Sequence, residues 1–317
     1  MILTQMKIHP WQKKLEISHY KYSSLNSMWT LVMPVYNQDK TINDILKKIH
    51  RNAMHNFDMI LINDGSNDET LKNLTNFCNS LKSKKINNIK IINNKTPIFE
   101  TACDNQGFRL ANTEYIIEIQ SDIYIEEKDF DNKMICALNQ FNLGAVSGRH
   151  VHNFSILEKA SEKWRKYPFK YIKWDILKIG LQSYGRIGRR IFSRPKNKSS
   201  NCFIGETVAR GPWLVRKSEL QTLNYLDERN FFLGNDDHDY HRRIFESFNK
   251  LVGYTPLDIY SRKQDGSTRK KRTGINKKIY DHLKEKKKGS KQFNEFMRMY
   301  IPYAKIQKRK LIILSNK

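Results

Sequence analysis

The sequence contains no long apolar run. No stretch of about eighteen apolar residues, the length at which a helix begins to span a bilayer, occurs in the chain. Its beginning, MILTQMKIHPWQKK, also lacks the basic-then-apolar order of a secretory signal. We therefore expect no membrane-spanning segment and a protein that stays in the cytoplasm, where it is made.

Cysteine is scarce. The four cysteines, Cys78, Cys103, Cys136 and Cys202, are widely separated and form no CxxC pair. Neither a disulfide framework nor a cysteine zinc site is indicated. We expect these side chains to be small buried hydrophobes in a reducing compartment.

Acidic residues are the minority charge, since 57 Lys and Arg face 32 Asp and Glu for a formal net charge of +25. Such an excess favours anionic partners, whether nucleic acid, an anionic membrane surface or a diphosphate substrate. A lysine- and asparagine-rich solvated surface gives the same composition. The net charge is therefore compatible with an anionic partner and with a merely solvated surface, and it does not identify the partner.

Apolar runs with strand character alternate with segments of helical period. This alternation predicts βαβ units around a buried, mostly parallel sheet flanked by helices, which is an α/β fold. Ligands of such sheets bind beyond the carboxyl ends of the strands. The strands are predicted over residues 29–37, 57–63, 88–93 and 114–120, and the helices over residues 39–49, 69–81, 100–111 and 129–141.

The remaining chain is less regular. A strand is predicted over residues 144–151, a strand and helix over 206–220, and a helix over 235–248. No internal repeat or Gly/Ser linker divides the chain. We predict an N-terminal arm over residues 1–28, one α/β domain over residues 29–262, and a basic lid loop with a helical C-terminal extension over residues 263–317.

Acidic groups follow the predicted strands at two places. Asp64 ends an apolar strand in INDGSNDET, where its carboxylate can accept hydrogen bonds from a nucleobase or ribose. A simple turn explains the same Asp-Gly-Ser sequence. Ser121 and Asp122 end the strand in EIQSD, and a carboxylate there needs a cation or donor, such as a divalent ion that also meets a diphosphate.

A third acidic cluster lies in FFLGNDDHDYHRR. Asp236, Asp237 and Asp239 crowd negative charge at a helix start. Their mutual repulsion is expected to raise the pKa of the group and to favour a general base. His238 and His241 can share one helix face, so a zinc site is an alternative, although no third ligand is evident.

Four stretches in order resemble the inverting GT-A glycosyltransferases, in particular family 2. They are LVMPVYNQDKTINDILKKI, ILINDGSNDET, DNQGFRLANTEYIIEIQSD, and GPWLVRKSEL leading to FFLGNDDHDYHRR. They cover residues 29 to about 245. The resemblance implies a sugar transfer from a nucleotide-sugar donor to an acceptor hydroxyl, with inversion at the anomeric carbon.

The resemblance also implies roles for individual residues. Pro34, Val35 and Tyr36 would line the nucleobase pocket, and Asp64 would hold the base or ribose. Asn105 and Gly107 match an Asn-x-Gly pair at a helix start beside the nucleotide. Ser121 and Asp122 would contact the donor, with Asp122 as the ligand of Mn²⁺ or Mg²⁺. Asp237 matches the catalytic base of the Glu-Asp motif, with Asp236 in the Glu place.

The chain departs from the family pattern near the metal. The first aspartate of the Asp-x-Asp signature is Gln120, and the arginine usual before the Asn-x-Gly pair is Asp104. These changes leave one carboxylate, Asp122, as the expected metal ligand. Downstream, Arg269 and Lys270 in SRKQDGSTRKKR are expected to neutralise the diphosphate as part of a lid, and a solvated basic loop is the alternative.

Two other classes of function fit part of the sequence. A basic nucleic-acid-binding protein explains the charge and the GRIGRR and TRKKR clusters, but no helix-turn-helix, zinc-finger, RRM or KH signature is present. A nucleotidyltransferase expects a glycine- and arginine-rich loop where the chain has YNQDKT. We therefore expect a glycan or lipid-linked acceptor, peripheral contact with an anionic membrane, and no specific nucleic acid.

Overall fold

The computed structural model describes residues 16–149, 151–152, 183–184, 189–192, 202–205, 207–262, 272–292 and 312–314. Within these ranges the chain forms sixteen strands and seven helices. The strands are β1 Glu16–Lys21, β2 Trp29–Val35, β3 Phe57–Asp64, β4 Ile86–Asn94, β5 Tyr115–Glu118, β6 Tyr124–Ile125, β7 Ala145–Ser147, β8 Val151–His152, β9 Ser183–Tyr184, β10 Arg189–Phe192, β11 Cys202–Gly205, β12 Thr207–Val208, β13 Trp213–Arg216, β14 Val252–Tyr254, β15 Ile259–Arg262 and β16 Ile312–Leu314. The helices are α1 Ile42–Asn52, α2 Thr70–Ser80, α3 Glu100–Leu110, α4 Phe130–Gln140, α5 Lys217–Thr222, α6 Asp236–Phe248 and α7 Gly274–Lys286.

A central sheet of ten strands has the order β1-β4-β3-β2-β5-β13-β7-β14-β11-β16. Strands β4, β3, β2 and β5 run parallel to one another, and β7 runs parallel to β14. The other pairs of this sheet are antiparallel. The predicted α/β sheet flanked by helices is therefore confirmed, and its parallel part is concentrated in β2 to β5.

Strands β2 and β3 are apolar along almost their whole length because both faces of the sheet are covered. In WTLVMPV and FDMILIND nearly every side chain is buried, as expected of a parallel strand inside an α/β fold. Helices α1, α2 and α4 pack on one face, represented by Ile45, Phe77 and Met134. Helices α3, α5 and α6 pack on the other face.

The predicted elements of the first half agree with the structure to within a few residues. The largest shift is at α1, which begins at Ile42 rather than at Asp39. Residues 38–41 instead form a turn in which the Thr41 amide donates to the Gln38 carbonyl at 3.1 Å. The Thr41 hydroxyl also donates to the Gln38 side chain at 2.9 Å.

Segments from both predicted appendages belong to the central sheet. Residues Glu16–Lys21 of the N-terminal arm pair antiparallel with β4 at one edge. At the other edge β16 pairs antiparallel with β11. Helix α7 packs through Ile279 and Leu283 against Phe99 and Phe232. This packing places α7 above the start of α3, beside the carboxyl ends of the parallel strands.

Candidate active site

A pocket of about 250 Å³ opens at the carboxyl ends of β2, β3 and β5. Six of the residues predicted to bind the donor line it, namely Pro34, Val35, Tyr36, Asp64, Ser121 and Asp122. The position agrees with the rule for ligand sites of parallel sheets. The other lining residues are Pro97, Phe99, Glu100, Glu118, Gln120, Ile123, Arg149, Leu233, Arg272 and Asn276.

Asp64 shapes one wall of the pocket. Its two carboxylate oxygens accept hydrogen bonds from the backbone amides of Ile98 at 2.7 Å and Phe99 at 3.0 Å. Phe99 has a φ of +69°, a left-handed conformation that is costly for a bulky side chain and needs support from its surroundings. Burial raises the pKa of Asp64 in spite of these hydrogen bonds. Asp64 therefore holds a strained turn at the pocket, and its predicted contact with the donor stays a prediction.

Helix α7 and the residues just before it close the pocket on another side. The Arg272 guanidinium lies over the rings of Tyr280, at 4.5 Å, and Phe99, at 5.5 Å. Asn276 donates a hydrogen bond to the Tyr36 hydroxyl at 2.8 Å. Arg272 therefore brings a positive charge, stacked on aromatic rings, to the pocket wall.

The predicted lid residues Arg269 and Lys270 lie outside the described residues. Arg272, which sequence reasoning missed, belongs to the same basic run, RKKR, and is the part of it that the structure places at the pocket. The RKKR run was the sequence signal for Arg272, because each of its four cations could neutralise a diphosphate equally well.

Asn105 and Gly107 lie within α3 rather than at its start, because the helix begins at Glu100. Neither is among the lining residues of the pocket. The Asn105 amide exchanges two hydrogen bonds with the backbone of Leu226, at 2.9 and 3.0 Å. A Cβ atom on Gly107 would lie 2.3 Å from Cγ1 of Val32. Both residues thus fix α3 against its neighbours, and their predicted role in nucleotide binding stays a prediction.

A buried ion cluster stands behind the pocket. The Arg210 side chain is 3% exposed; it pairs with Asp236 at 2.8 Å and Glu100 at 3.4 Å, and it contacts Asp104 as well. Glu100 also accepts a hydrogen bond of 2.7 Å from Gln120. Arg210 therefore supplies the positive charge of this cluster, whereas position 104, where the family pattern has an arginine, holds an aspartate. Glu100 belongs both to the cluster and to the pocket wall.

Glu118 lies among the carboxylates of this cluster and also lines the pocket. It is fully buried, and neither of its side-chain oxygens has a hydrogen-bond partner. Burial raises the pKa of Glu118 well above its ordinary value. Among the described residues, Glu100, Asp104 and Glu118 bring ligand oxygens within 4.8 Å of one another, close enough to share a cation.

Sequence reasoning missed Glu118. It stands two positions before Gln120 in EIQSD, where an acidic residue interrupts an otherwise apolar strand. Alternate residues of a strand share a face. The two-residue spacing of Glu118, Gln120 and Asp122 could therefore have indicated that Glu118 lies on the same side as the predicted metal ligand.

Asp236 and Asp237 begin α6 and do not line the pocket, from which Arg210 and Glu100 separate Asp236. Asp237 accepts hydrogen bonds from two backbone amides, that of His238 at 2.9 Å on Oδ1 and that of Arg210 at 3.4 Å on Oδ2. The structure thus places the predicted base beside Arg210, which in turn pairs with Glu100 of the pocket wall.

The expected rise in pKa applies to one of these two aspartates. Burial, together with the negative charge of Asp237, raises the pKa of Asp236 to about 6, against the effect of Arg210. For Asp237 the expectation is wrong. Burial acts in the same direction there, but the neighbouring His238 and Arg210 hold the pKa of Asp237 well below its ordinary value.

The zinc alternative at His238 and His241 finds no third ligand in the described part of the chain, where Glu100, Asp104 and Glu118 are the one group of three potential metal ligands that lie close together. Nδ1 of each ring instead contacts the Thr207 hydroxyl, and Nε2 of His241 accepts a hydrogen bond from Trp213 at 3.0 Å. These ring nitrogens are engaged in hydrogen bonds.

A helix-flanked α/β sheet with a pocket and carboxylates at the carboxyl ends of its parallel strands has the architecture of a GT-A fold. Residues 30–194 match the sequence profile of glycosyl transferase family 2, which is more than half of the 317 residues. The chain belongs to glycosyl transferase family 2.

Two curated relatives each match about a third of this chain at low identity. An uncharacterized glycosyltransferase of Haemophilus influenzae is 27% identical over 105 residues, which is 33% of this chain and 40% of the relative. Glycosyltransferase GlyG of Streptococcus pneumoniae is 24% identical over 103 residues, 32% of this chain and 33% of the relative. The matches thus span well under half the length of either relative.

Solved structures are similar to this chain over about three quarters of its length. The mannosyltransferase PcManGT of Pyrobaculum calidifontis, in complex with GDP-Man and Mn²⁺, aligns over 78% of this chain and 59% of its own, with a TM-score of 0.50 and 14% identity. TarS 1-349 of S. aureus, in complex with UDP, aligns over 73% of this chain and 59% of its own, with a TM-score of 0.48 and 14% identity.

Proposed function

We propose that the protein is an inverting glycosyltransferase that moves a sugar from a nucleotide-diphosphate donor to an acceptor hydroxyl. The observation that carries the proposal is the pocket at the carboxyl ends of β2, β3 and β5, where six residues chosen from the sequence for donor binding come together. Membership of glycosyl transferase family 2 supports the same chemistry.

The lining residues divide into groups suited to the parts of such a donor. Pro34, Val35 and Tyr36 offer backbone and aromatic contacts to a nucleobase. Asp64 holds the neighbouring wall and has lone pairs left for a ribose hydroxyl. Arg272 offers a cation for the diphosphate, in the role predicted for Arg269 and Lys270.

A divalent cation, Mn²⁺ or Mg²⁺, fits the acidic residues of this pocket. Asp122 lines it, and Glu118 presents two buried oxygens without hydrogen-bond partners, a state that a bound cation relieves. We propose that Asp122 and Glu118 hold the ion, with Glu118 replacing the carboxylate that Gln120 lacks. When bound, the ion stabilises negative charge on the leaving diphosphate.

The protein's own groups account for the proton. Asp237 takes the hydrogen of the acceptor hydroxyl while that oxygen forms a bond to the anomeric carbon. The bond from this carbon to the diphosphate oxygen breaks on the opposite face, so the configuration inverts. Because the pKa of Asp237 lies well below its ordinary value, the carboxylate is in its proton-accepting form throughout the neutral range.

The acceptor is proposed to be a glycan, lipid-linked or protein-linked hydroxyl, reached from the cytoplasm. Helix α7 carries exposed lysines at positions 277, 278, 284 and 286, and such a surface attracts anionic lipids. In the described part of the chain, none of the helices combines the length and the hydropathy of a membrane span. Flotation with anionic vesicles tests the proposed membrane contact, and protein that stays at the bottom of the gradient would contradict it.

The enzyme class is tested with a panel of nucleotide sugars, with and without Mn²⁺, by following the release of nucleoside diphosphate. Asp237→Asn is expected to reduce turnover by roughly 10²- to 10⁴-fold, because it removes the base. Asp281→Asn, a change at an exposed residue of α7, serves as the matched control. Full turnover by Asp237→Asn would reject the base, and calorimetry without binding to any nucleotide sugar would reject the class.

A further inference from the structure

A chain of four side chains leads from the sheet to the carboxylate of Asp237. The Trp213 ring nitrogen donates to Nε2 of His241 at 3.0 Å, and Nδ1 of His241 lies 2.8 Å from the Thr207 hydroxyl. The same hydroxyl contacts Nδ1 of His238. Nε2 of His238 lies 3.9 Å from Oδ1 of Asp237. The series therefore connects β13, β12 and α6.

The protonation of His241 follows from its partners. The indole N–H of Trp213 can only donate, so Nε2 of His241 must accept and carries no proton. His241 is 1% exposed, and burial lowers its pKa to about 3, so the ring is neutral. Its one ring proton is therefore on Nδ1 and is donated to Thr207.

The tautomer of His238 follows in the same way. The Thr207 oxygen receives the proton of His241, and its own hydrogen needs an acceptor because Thr207 is 4% exposed. Nδ1 of His238 is the acceptor in contact with this hydroxyl. The proton of a neutral His238 ring is then on Nε2, the nitrogen that faces Asp237.

We propose that His238 is a positioning residue for Asp237, held by Trp213, His241 and Thr207 in the tautomer that turns its Nε2–H toward Oδ1. The inference rests on the proposed function, in which Asp237 is the base. Oδ1 also accepts the backbone amide of His238 at 2.9 Å, whereas Oδ2 has the longer contact of 3.4 Å with the Arg210 amide. Oδ2 is thus the oxygen that takes the acceptor proton.

The tautomers are tested by NMR of the donor-free protein labelled with ¹⁵N-histidine, which needs no activity. At neutral pH we expect a proton on Nδ1 of His241 and on Nε2 of His238, opposite tautomers of the two rings. Thr207→Ser keeps the hydroxyl and is expected to retain this pattern, whereas Thr207→Val is expected to lose the His238 signature. A wild-type His238 with its proton on Nδ1, or an unchanged Thr207→Val spectrum, would overturn the proposal.

The effect on catalysis is tested with two amide replacements of one side chain. In His238→Gln the amide N–H reaches the position of the ring Nε2, and in His238→Asn it reaches only the position of Nδ1. We expect kcat to fall by roughly 10-fold in His238→Asn, because the variant loses the 3.9 Å polar contact between the ring Nε2 and Oδ1 of Asp237, with an unchanged donor KM. His238→Gln is expected to recover most of this loss.

These measurements distinguish failure of the positioning role of His238 from failure of the proposed enzyme class. If the wild-type protein turns over a donor and the Asn and Gln variants have equal kcat values, the positioning role fails while the enzyme class stands. If no donor is bound or turned over, the proposed function fails, and the NMR spectra still report whether the four side chains hold His238 in the stated tautomer.

Discussion

Removal of the Arg210 charge tests the ion cluster behind the pocket. The side chain of Arg210 is 3% exposed, and its partners Asp104 and Asp236 are fully buried. Arg210→Met keeps much of the side-chain volume and leaves these carboxylates without a cation. The loss of one partner of a buried ion pair costs about 3–5 kcal/mol, so we expect the free energy of unfolding to fall by about this amount near neutral pH.

The loss is expected to depend on pH. Burial already raises the pKa of Asp104 and Asp236 in the folded protein, and without Arg210 these pKa values rise further. An acid with a raised pKa binds its proton more tightly in the folded state, so protonation offsets the loss at low pH. Because the pKa of Asp236 in the folded wild-type protein is about 6, the loss is expected to grow as the pH rises above that value. The difference from wild type should therefore be smallest in acid and largest near neutral pH.

Urea unfolding followed by tryptophan fluorescence measures this difference, since Trp29 and Trp213 are fully buried. Wild type and Arg210→Met are compared at about pH 4.5 and about pH 7.5. Arg229→Met is the control, because its side chain is 87% exposed in its pair with Asp227 and surface pairs contribute little. Equal losses at both pH values, or a loss no greater than that of the control, would show that Arg210 does not stabilise the fold through its charge.

Three further predictions concern the pocket and its supports. Asp122→Asn is expected to lower Mn²⁺-dependent donor affinity by roughly 10- to 100-fold, measured by calorimetry with and without the ion; a wild-type affinity that ignores Mn²⁺ would contradict it. Arg272→Gln is expected to weaken donor binding by about 10-fold or more, the value of a charged hydrogen bond, while Lys278→Gln on the exposed face of α7 leaves the Kd unchanged. Gly107→Ala is expected to destabilise the fold by about 1–3 kcal/mol, because its Cβ would lie 2.3 Å from Val32; urea unfolding measures this, and no rescue by Val32→Ala would count against it.

The parts of the site that the sequence predicts are those set by local pattern. Asp64 and Asp122 each follow an apolar strand, and parallel strands bring such positions to one edge of a sheet. That rule needs no knowledge of distant contacts, which is why these residues and the neighbouring Pro34 to Tyr36 meet in one pocket.

The parts that the sequence could not predict depend on residues far apart in the chain. Asp104 is a visible departure from the family pattern, but its partner Arg210 stands 106 positions away. The pKa of Asp237 was misjudged for a related reason. Three acids in one helix turn predict mutual repulsion and a raised pKa. The neighbouring His238 and the distant Arg210 instead lower the pKa of Asp237.

The placement of the two edge strands has a consequence for synthesis of the protein on the ribosome. Strands β1 to β5 come from residues 16–118, so this half of the sheet can assemble early. The opposite edge is completed by β16, residues 312–314, which pairs with β11. At about 5–20 residues per second, the nascent chain carries an exposed β11 edge for roughly 5–20 s before its partner emerges. During that interval β11 depends on a chaperone, or on its own short length, to avoid pairing with another chain.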